Sequence, residues 1–260
     1  MLITLNGLVI GQRTVGENSC FLDIFTDKLG MIEVMAHGVK KINSKNSGAS
    51  MLFSYSKFCV NKNGSRYTIN SSEPICSFYG ISKSIEALSL AAYFADIIRY
   101  CATSEENHSE LLRFVCMTYY QLQNDRLSLD FIKAIFEFRF ITHIGFMPDL
   151  RACRECICYT HDEMYFLPND GVIYCSDCYE ELDSLHEKNA FLLSSTVLHT
   201  LRYVAYSENE KLYAFSISEQ SRRVFCAVAE FYLLAQLNRS FDTLDYYKNI
   251  TLNMQQTTEI

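Results

Sequence analysis

The first 80 residues alternate between apolar and polar side chains, with turn-forming residues between short apolar runs. Successive side chains of a strand point to opposite faces, so this alternation predicts strands with one buried face. The predicted strands cover residues 5–10, 20–25, 31–36, 55–60 and 67–69. Short antiparallel strands at this spacing are typical of a small closed barrel, and an OB-fold is the leading candidate.

Two connections in this segment carry turn signals. Asn63-Gly64 is the stronger one, because Asn-Gly favours a tight hairpin turn with positive φ, and it predicts one hairpin from the last two strands. A second hairpin turn is predicted at residues 27–30. The polar stretch 38–48 contains Gly, Ser and Lys, so we expect a mobile basic loop that contributes nothing to the core.

After Pro74 the hydrophobic period changes from two to between three and four, the spacing of one helix face. The predicted helices cover residues 85–98, 111–122, 129–140, 198–206 and 224–234. A cysteine-containing segment separates the third helix from the fourth. We therefore predict an α+β protein in which a helical domain follows the barrel.

Cys153, Cys156, Cys175 and Cys178 form two Cys-x2-Cys pairs with eighteen residues between them. Two residues between paired cysteines let a tight turn bring both sulfurs to one metal, and this spacing is typical of four-thiolate zinc sites. The intervening residues predict a hairpin that returns the chain to the first pair. We expect one structural zinc ion, because four thiolates leave no open position for water or substrate.

The sequence leaves three alternatives to this zinc site open. The four residues could be ordinary buried thiols, and an iron–sulfur cluster also accepts four thiolates. Cys158 or His161 could also replace Cys156 as a ligand. The two Cys-x2-Cys pairs are the preferred interpretation.

The composition indicates a folded protein, with 49% hydrophobic and 20% charged residues. The eleven cysteines are an odd number in a chain too long for a small disulfide-stapled protein, so we expect reduced thiols. The apolar run at residues 2–10 is interrupted by polar residues, and no run approaches the length of a membrane helix. We expect a cytoplasmic protein without a membrane partner.

The formal net charge of −7 argues against a protein that coats nucleic acid indiscriminately. Residues 1–80 nevertheless contain more basic than acidic residues, which predicts two bodies with different partners. The predicted domains are a nucleic-acid-binding barrel at 1–80 and a helical domain at 81–260, with the zinc module at about 150–180. The candidate DNA-binding cations are Arg13, Lys40, Lys41, Lys45, Lys57 and Arg66. The alternative is that they are ordinary solvated charges.

Short motifs along the chain occur in the order typical of one family. They are His37-Gly38-Val39-Lys40-Lys41, His143-Ile144-Gly145-Phe146, Pro148-Asp149-Leu150 before the first cysteine pair, and Leu237-Asn238-Arg239-Ser240-Phe241. From near residue 1 to about residue 245, the chain resembles the bacterial RecO family of recombination mediators. It departs from that family in its acidic charge and its short lysine motif, so we expect modest autonomous affinity for DNA.

The resemblance implies a nucleoid-associated protein of DNA repair that performs no covalent chemistry. It implies binding to single-stranded and duplex DNA, annealing of complementary strands, and RecA loading with the help of RecR. It also implies binding to the acidic, Phe-ended tail of the single-strand-binding protein, which needs an apolar pocket flanked by cations. Candidate cations for that pocket are Arg126, Lys133 and Arg139.

Two other classes of protein stay open at this point. One is a zinc-ribbon transcription or scaffold protein without annealing activity. The other is a nuclease or ligase that uses the barrel to hold DNA. The sequence contains no phosphate-binding Gly-rich loop with a lysine, no nucleophile elbow and no HExxH zinc helix, so we predict no catalytic residues.

Overall fold

A computed structural model describes residues 1–102, 107–182 and 190–258. The chain forms two compact units, one comprising residues 1–126 with the C-terminal segment from Phe241, and the other residues 127–240. This division differs from the expected one at residue 80, because the first two long helices and the last one pack within the same unit as the barrel. The division of the chain into a barrel domain at 1–80 and a helical domain at 81–260 stays a prediction.

Five strands close into a barrel in the order β1-β2-β3-β5-β4, which confirms the predicted OB-fold. They are β1 Leu2–Val15, β2 Ser19–Thr26, β3 Gly30–Ala36, β4 Ser54–Asn63 and β5 Arg66–Ser77. β1 pairs antiparallel with both β2 and β4, and a short parallel pairing of β3 with β5 completes the closure. Each predicted strand is confirmed, and the observed strands extend beyond the predicted ones.

Both predicted hairpin turns are confirmed by the strand register. Asn63 pairs with Arg66 across the β4–β5 turn, and Gly64 adopts a φ of 61° there. Thr26 pairs with Gly30 across the β2–β3 turn, where Gly30 also has a positive φ of 62°. Glycine occupies these positions without the steric penalty that a side chain would add.

The barrel core corrects one prediction about the segment after β3. Val39, in the stretch expected to add nothing to the core, is only 4% exposed and packs with the barrel interior. Its neighbour Lys40 donates a backbone hydrogen bond to the Asn18 carbonyl at 3.2 Å. The Asn46 amide oxygen accepts from the backbone N–H of Ser72 at 3.0 Å. The polar composition hid the single apolar side chain that anchors this segment.

Three helices belong to the same unit as the barrel: α1 Ile85–Cys101, α2 Ser109–Leu122 and α7 Asp242–Thr258. The Ser84 hydroxyl caps α1 by accepting from the N–H of Ala87 at 3.1 Å. The sequence analysis missed α7. It packs on α1, where the Thr243 hydroxyl donates to Asp96 at 3.0 Å.

The second unit places α3 Leu129–His143 against two further helices. These are α5 Ser195–Tyr206 and α6 Glu219–Leu237, and all three were predicted. The unit also contains β6 Met164–Leu167, β7 Val172–Cys175, the short helix α4 Ser176–Glu180 and the unpredicted strand β8 Phe191–Leu193. β6 and β7 form the expected hairpin, and β8 pairs with the other side of β6. Within the described residues, no helix has the length and apolar character needed to cross a membrane.

Candidate nucleic-acid interface and metal centre

The sulfurs of Cys153, Cys156, Cys175 and Cys178 lie within 4.8 Å of one another. The β6–β7 hairpin positions the second pair, because Cys175 ends β7 opposite Met164. A tight turn forms the first pair, in which the N–H of Ile157 donates to the Cys153 carbonyl at 3.1 Å. The two Cys-x2-Cys pairs therefore come together, as predicted, in a group that could hold one metal ion.

The spacing of the sulfurs fits a single tetrahedral ion. Cys156 Sγ lies 3.6 Å from Cys175 Sγ. Sulfurs at about 2.3 Å from a central zinc are separated by roughly 3.8 Å in a tetrahedron. A hydrogen bond from the backbone N–H of Cys158 lowers the pKa of the Cys156 thiol to about 6. Thiolates this close repel one another unless a cation lies between them, so this donor set suits a metal.

The two alternative ligands lie outside the four-sulfur group. Cys158 is not among the four cysteines whose sulfurs lie within 4.8 Å of one another. His161 Nδ1 lies 3.3 Å from the Ser176 hydroxyl, and its Nε2 lies 3.7 Å from an Asp177 carboxylate oxygen. The structure therefore favours Cys156 over either residue as the fourth ligand.

Hydrogen bonds attach the cysteine module to helices of the same unit. Arg202 of α5 donates to the Leu150 carbonyl at 2.7 Å and to the Tyr159 carbonyl at 3.1 Å. Gln236 of α6 donates to the Pro168 carbonyl at 2.8 Å. The module is therefore braced at both the first knuckle and the hairpin, as expected for a structural metal site.

A cleft of 1080 Å³ lies along β3 and the β4–β5 hairpin of the barrel. Even-numbered residues of β2 and β3, such as Leu22 and Val34, point into the core, and odd-numbered residues face outward. The lining residues include the apolar side chains Phe21, Met31, Met35 and Tyr67 and the ionisable side chains Glu33, His37, Lys62 and Arg66. OB-folds bind oligonucleotides on the β2–β3 face and its adjoining loops, so this cleft is the candidate nucleic-acid interface.

Two cation–aromatic pairs border this cleft. The guanidinium of Arg13 lies 5.2 Å from the centre of the Phe21 ring. The ammonium of Lys62 lies 5.4 Å from the centre of the Tyr67 ring. An aromatic face beside a cation matches the two parts of a nucleotide, because a base stacks on the ring while the cation attracts its phosphate.

The predicted DNA-binding cations do not all lie at this cleft. Arg66 lines it, and Arg13 borders it beside Phe21. The Lys40 ammonium donates to the Thr14 hydroxyl at 2.5 Å, near the end of β1. Lys57 is exposed on β4 and does not line the cleft.

The other two predicted lysines do not line the cleft, whereas some residues that do were not predicted. Lys41 and Lys45 are exposed in the segment after β3. The sequence analysis missed Phe21, His37 and Lys62. Lys62 precedes the Asn63-Gly64 turn, and its place next to the hairpin loop of an OB-fold was the available signal.

The structure gives Lys133 and Arg139 internal roles that do not fit the expected pocket for an acidic tail. Lys133 is 5% exposed, and its ammonium lies 2.9 Å from Glu137 and 2.7 Å from Glu230. Burial lowers the pKa of this lysine, but the two carboxylates overcome that effect and raise it above its usual value. The charged groups of Lys133 and Arg139 are therefore already bound to acceptors inside the second unit.

The acceptors of Arg139 are carbonyl oxygens at the end of α5. Its guanidinium donates to Val204 at 3.2 Å, to Ala205 at 2.5 Å and to Ser207 at 2.8 Å. Cations are favourable at this position because the last carbonyls of a helix have no partner within the helix. Arg126 is exposed and belongs to the other compact unit.

Comparisons with known proteins find relatives that match nearly the whole chain. Models of the N-terminal and C-terminal regions of recombination protein O match residues 1–78 and 82–245. Proteins named DNA repair protein RecO are similar over nearly their whole lengths. The protein of Acetivibrio thermocellus is 29% identical, over 94% of this chain and 96% of its own. That of Alkaliphilus metalliredigens is 26% identical, over 96% of this chain and 100% of its own.

The fold and these relatives define the class of the protein: it is a DNA repair protein built on an OB-fold barrel. The chain belongs to the RecO family. The family resemblance predicted from the short motifs is thereby confirmed.

Proposed function

We propose that this protein is a recombination mediator that binds single-stranded DNA in the barrel cleft and anneals complementary strands. Together with RecR, it would promote the loading of RecA. The observation that carries the proposal is the pair of cation–aromatic contacts, Arg13 with Phe21 and Lys62 with Tyr67, at one cleft of the barrel. Base stacking does not depend on sequence, since every base has a flat face, and a mediator has to accept any sequence.

The cleft favours single strands over duplex on physical grounds. In a duplex the bases are stacked on one another, so only phosphates reach the cations. In a single strand, rings such as Phe21 and Tyr67 can also stack on exposed bases. Duplex DNA would therefore bind through its backbone alone and more weakly.

The overall charge of −7 points to modest affinity for DNA by the isolated protein. We infer that RecR supplies additional positive surface when the two proteins act together. Binding and annealing should therefore both strengthen when RecR is added, and more so at higher salt, where few phosphate contacts survive.

Anisotropy titrations with a fluorescent oligonucleotide test the cleft. Lys62→Ala and Arg66→Ala should each weaken single-strand binding and reduce the log–log salt slope by about 0.7 per lost phosphate contact. Lys57→Ala is the matched control, because Lys57 is an exposed lysine of the same barrel away from the cleft. If Lys57→Ala weakens binding and the two cleft variants do not, DNA binds on another surface.

A strand-annealing assay with and without RecR separates this function from the two alternative classes. Annealing that depends on the cleft residues supports a mediator. Binding to another protein without annealing would instead indicate a zinc-ribbon scaffold or transcription factor. Cleavage or joining of labelled DNA in the presence of magnesium would indicate a nuclease or ligase.

We propose zinc as the metal of the four-cysteine group. The closeness of all four sulfurs, within 4.8 Å of one another, supports a single ion, since a cluster of several iron atoms would hold its four thiolates further apart. The ion would hold the two knuckles together and leave no position for a substrate. Metal analysis of the purified protein should find one zinc per chain, and iron in its place would overturn the assignment.

For the acidic tail of the single-strand-binding protein, we propose a second cleft in the barrel unit in place of a site at Lys133 and Arg139. This cleft of 400 Å³ combines exposed apolar side chains, including Met51, Leu52 and Tyr79, with Lys40. An apolar pocket beside a cation suits an acidic peptide that ends in Phe. Leu52→Asp should abolish tail-peptide binding, and binding that is unchanged would remove this cleft from consideration.

A further inference from the structure

Glu33 places a negative charge in the cleft that is proposed to bind nucleic acid. Among the described residues that line the cleft, it is the only acid, and it lies with Lys62 and Arg66. A carboxylate there repels every phosphate that enters. Glu33 is also 51% exposed at its side chain, so burial does not hold it in this position.

The partner of Glu33 is one of the cations proposed to bind DNA. The carboxylate of Glu33 lies 2.8 Å from Nη2 of Arg13, the same arginine whose guanidinium lies over Phe21. A carboxylate and a phosphate present similar pairs of oxygens to the guanidinium fork. Glu33 therefore occupies the position on Arg13 that a phosphate of a bound strand would take.

The ion pair is placed so that it can be exchanged. The side chains of Arg13 and Glu33 are 69% and 51% exposed, and exposed ion pairs contribute little to stability. Breaking the pair therefore leaves the barrel folded. The flat Phe21 ring remains beside the guanidinium to keep Arg13 near the cleft while its acceptor changes.

A neighbouring ion pair provides an internal comparison. Asp23 lies directly opposite Glu33 in the β2–β3 register, and its carboxylate binds Arg99 of α1 at 3.2 Å. Asp23 does not line the cleft. Two acids on adjacent strands thus each hold an arginine, but only the pair of Glu33 with Arg13 stands where DNA is proposed to bind.

We propose that Glu33 is an internal phosphate mimic that holds Arg13 in the free protein and competes with DNA for it. The inference rests on the proposed function of the cleft. Strand binding exchanges one acceptor of Arg13 for another, so the net gain from this cation is small. This competition lowers the affinity for DNA and helps a bound strand to dissociate when it pairs with its complement.

The test compares Glu33→Gln with Asp23→Asn in anisotropy titrations on single-stranded DNA. Glu33→Gln keeps the size of the side chain and removes its charge. It should tighten binding about fivefold, the factor that corresponds to one exposed ion pair. It should also steepen the salt slope by about 0.7, because Arg13 becomes free to neutralise a phosphate. Asp23→Asn should change neither quantity, and thermal unfolding of each variant checks that the barrel is intact.

Arg13→Ala, made in the wild type and in the Glu33→Gln variant, distinguishes a phosphate mimic from simple repulsion. In the wild type, Arg13→Ala should weaken DNA binding little. In the Glu33→Gln variant, it should weaken binding about fivefold, because only then is Arg13 free to bind phosphate. Equal effects of Arg13→Ala in the two backgrounds would overturn the inference. So would binding by Glu33→Gln that matches the wild type, while loss of binding in Lys62→Ala would still support the cleft. If none of these variants changes binding, the proposed DNA site itself fails.

Discussion

The guanidinium of Arg99 occupies the space in which Gly11 would carry a side chain. Arg99 reaches from α1 to the barrel, donating to the Ile10 carbonyl at 3.1 Å and to Asp23 at 3.2 Å. A Cβ at Gly11 would overlap both the guanidinium and the Asp23 carboxylate. The absence of a side chain at residue 11 therefore allows α1 to be fastened to the barrel.

Gly11→Ala should destabilise the barrel unit by about 1–3 kcal/mol, the usual cost of forcing a methyl group into filled space. Urea unfolding followed by circular dichroism measures the loss. Gly48→Ala is the control, because a Cβ there meets nothing within 4 Å and the substitution should be nearly neutral. Equal stabilities of the two variants would mean that Arg99 moves aside without cost.

Lys133→Ala should destabilise the second unit by about 3–5 kcal/mol, because it leaves the fully buried carboxylate of Glu137 without its cation. Lys133→Met/Glu137→Leu removes both charges and should recover most of the loss. Chemical denaturation of the single and double variants measures the difference. A single variant as stable as the wild type would show that water reaches Glu137.

The same ion pairs predict how stability depends on pH. The pKa of Lys133 in the folded state is raised above its value in the unfolded state. The contribution of its ion pairs to the free energy of unfolding is therefore complete below the unfolded pKa, and it is lost only as pH rises through the folded pKa. The destabilisation caused by Lys133→Ala/Glu137→Ala should therefore be constant between about pH 7 and pH 9. Denaturation curves at several pH values in this range test it, and a decline with rising pH would contradict the assignment.

Arg139→Ala should destabilise the second unit by about 2–4 kcal/mol, since several carbonyl oxygens at the end of α5 lose a charged donor. Arg139→Lys should recover only part of this, because an ammonium cannot reproduce the geometry of the guanidinium fork. Thermal unfolding ranks the three proteins. A fully stable Arg139→Ala would show that water replaces the arginine at these carbonyls.

Removal of the metal should destabilise the cysteine module and leave the barrel folded. Cys175→Ser should lose the bound metal and lower the unfolding temperature of the second unit, while single-strand binding by the barrel cleft persists. Cys158→Ser is the matched control, since Cys158 lies outside the four-sulfur group, and it should retain one metal per chain. Loss of metal from Cys158→Ser would instead make Cys158 a ligand.

The sequence predicted features that depend on local pattern. Alternating side chains indicated five strands, Asn63-Gly64 indicated the hairpin, and two Cys-x2-Cys pairs indicated one metal site. Each of these depends on residues that are close in the chain or on a fixed spacing. The helix α7 was missed because it contains many polar residues, and its burial depends on packing against α1, far away in sequence.

The tertiary structure decided which charged side chains are available to a partner. Lys133 and Lys57 look alike as isolated cations in the sequence, yet Lys133 is buried between two carboxylates and Lys57 is exposed. In the same way, only the β1–β2 and β2–β3 registers together bring Glu33 to Arg13. The sequence by itself determined the strands, most of the helices and the four-cysteine group, because hydrophobic period and cysteine spacing are local. The environment of a charge depends on residues distant in the chain, so only the tertiary structure shows which charged side chains are exposed.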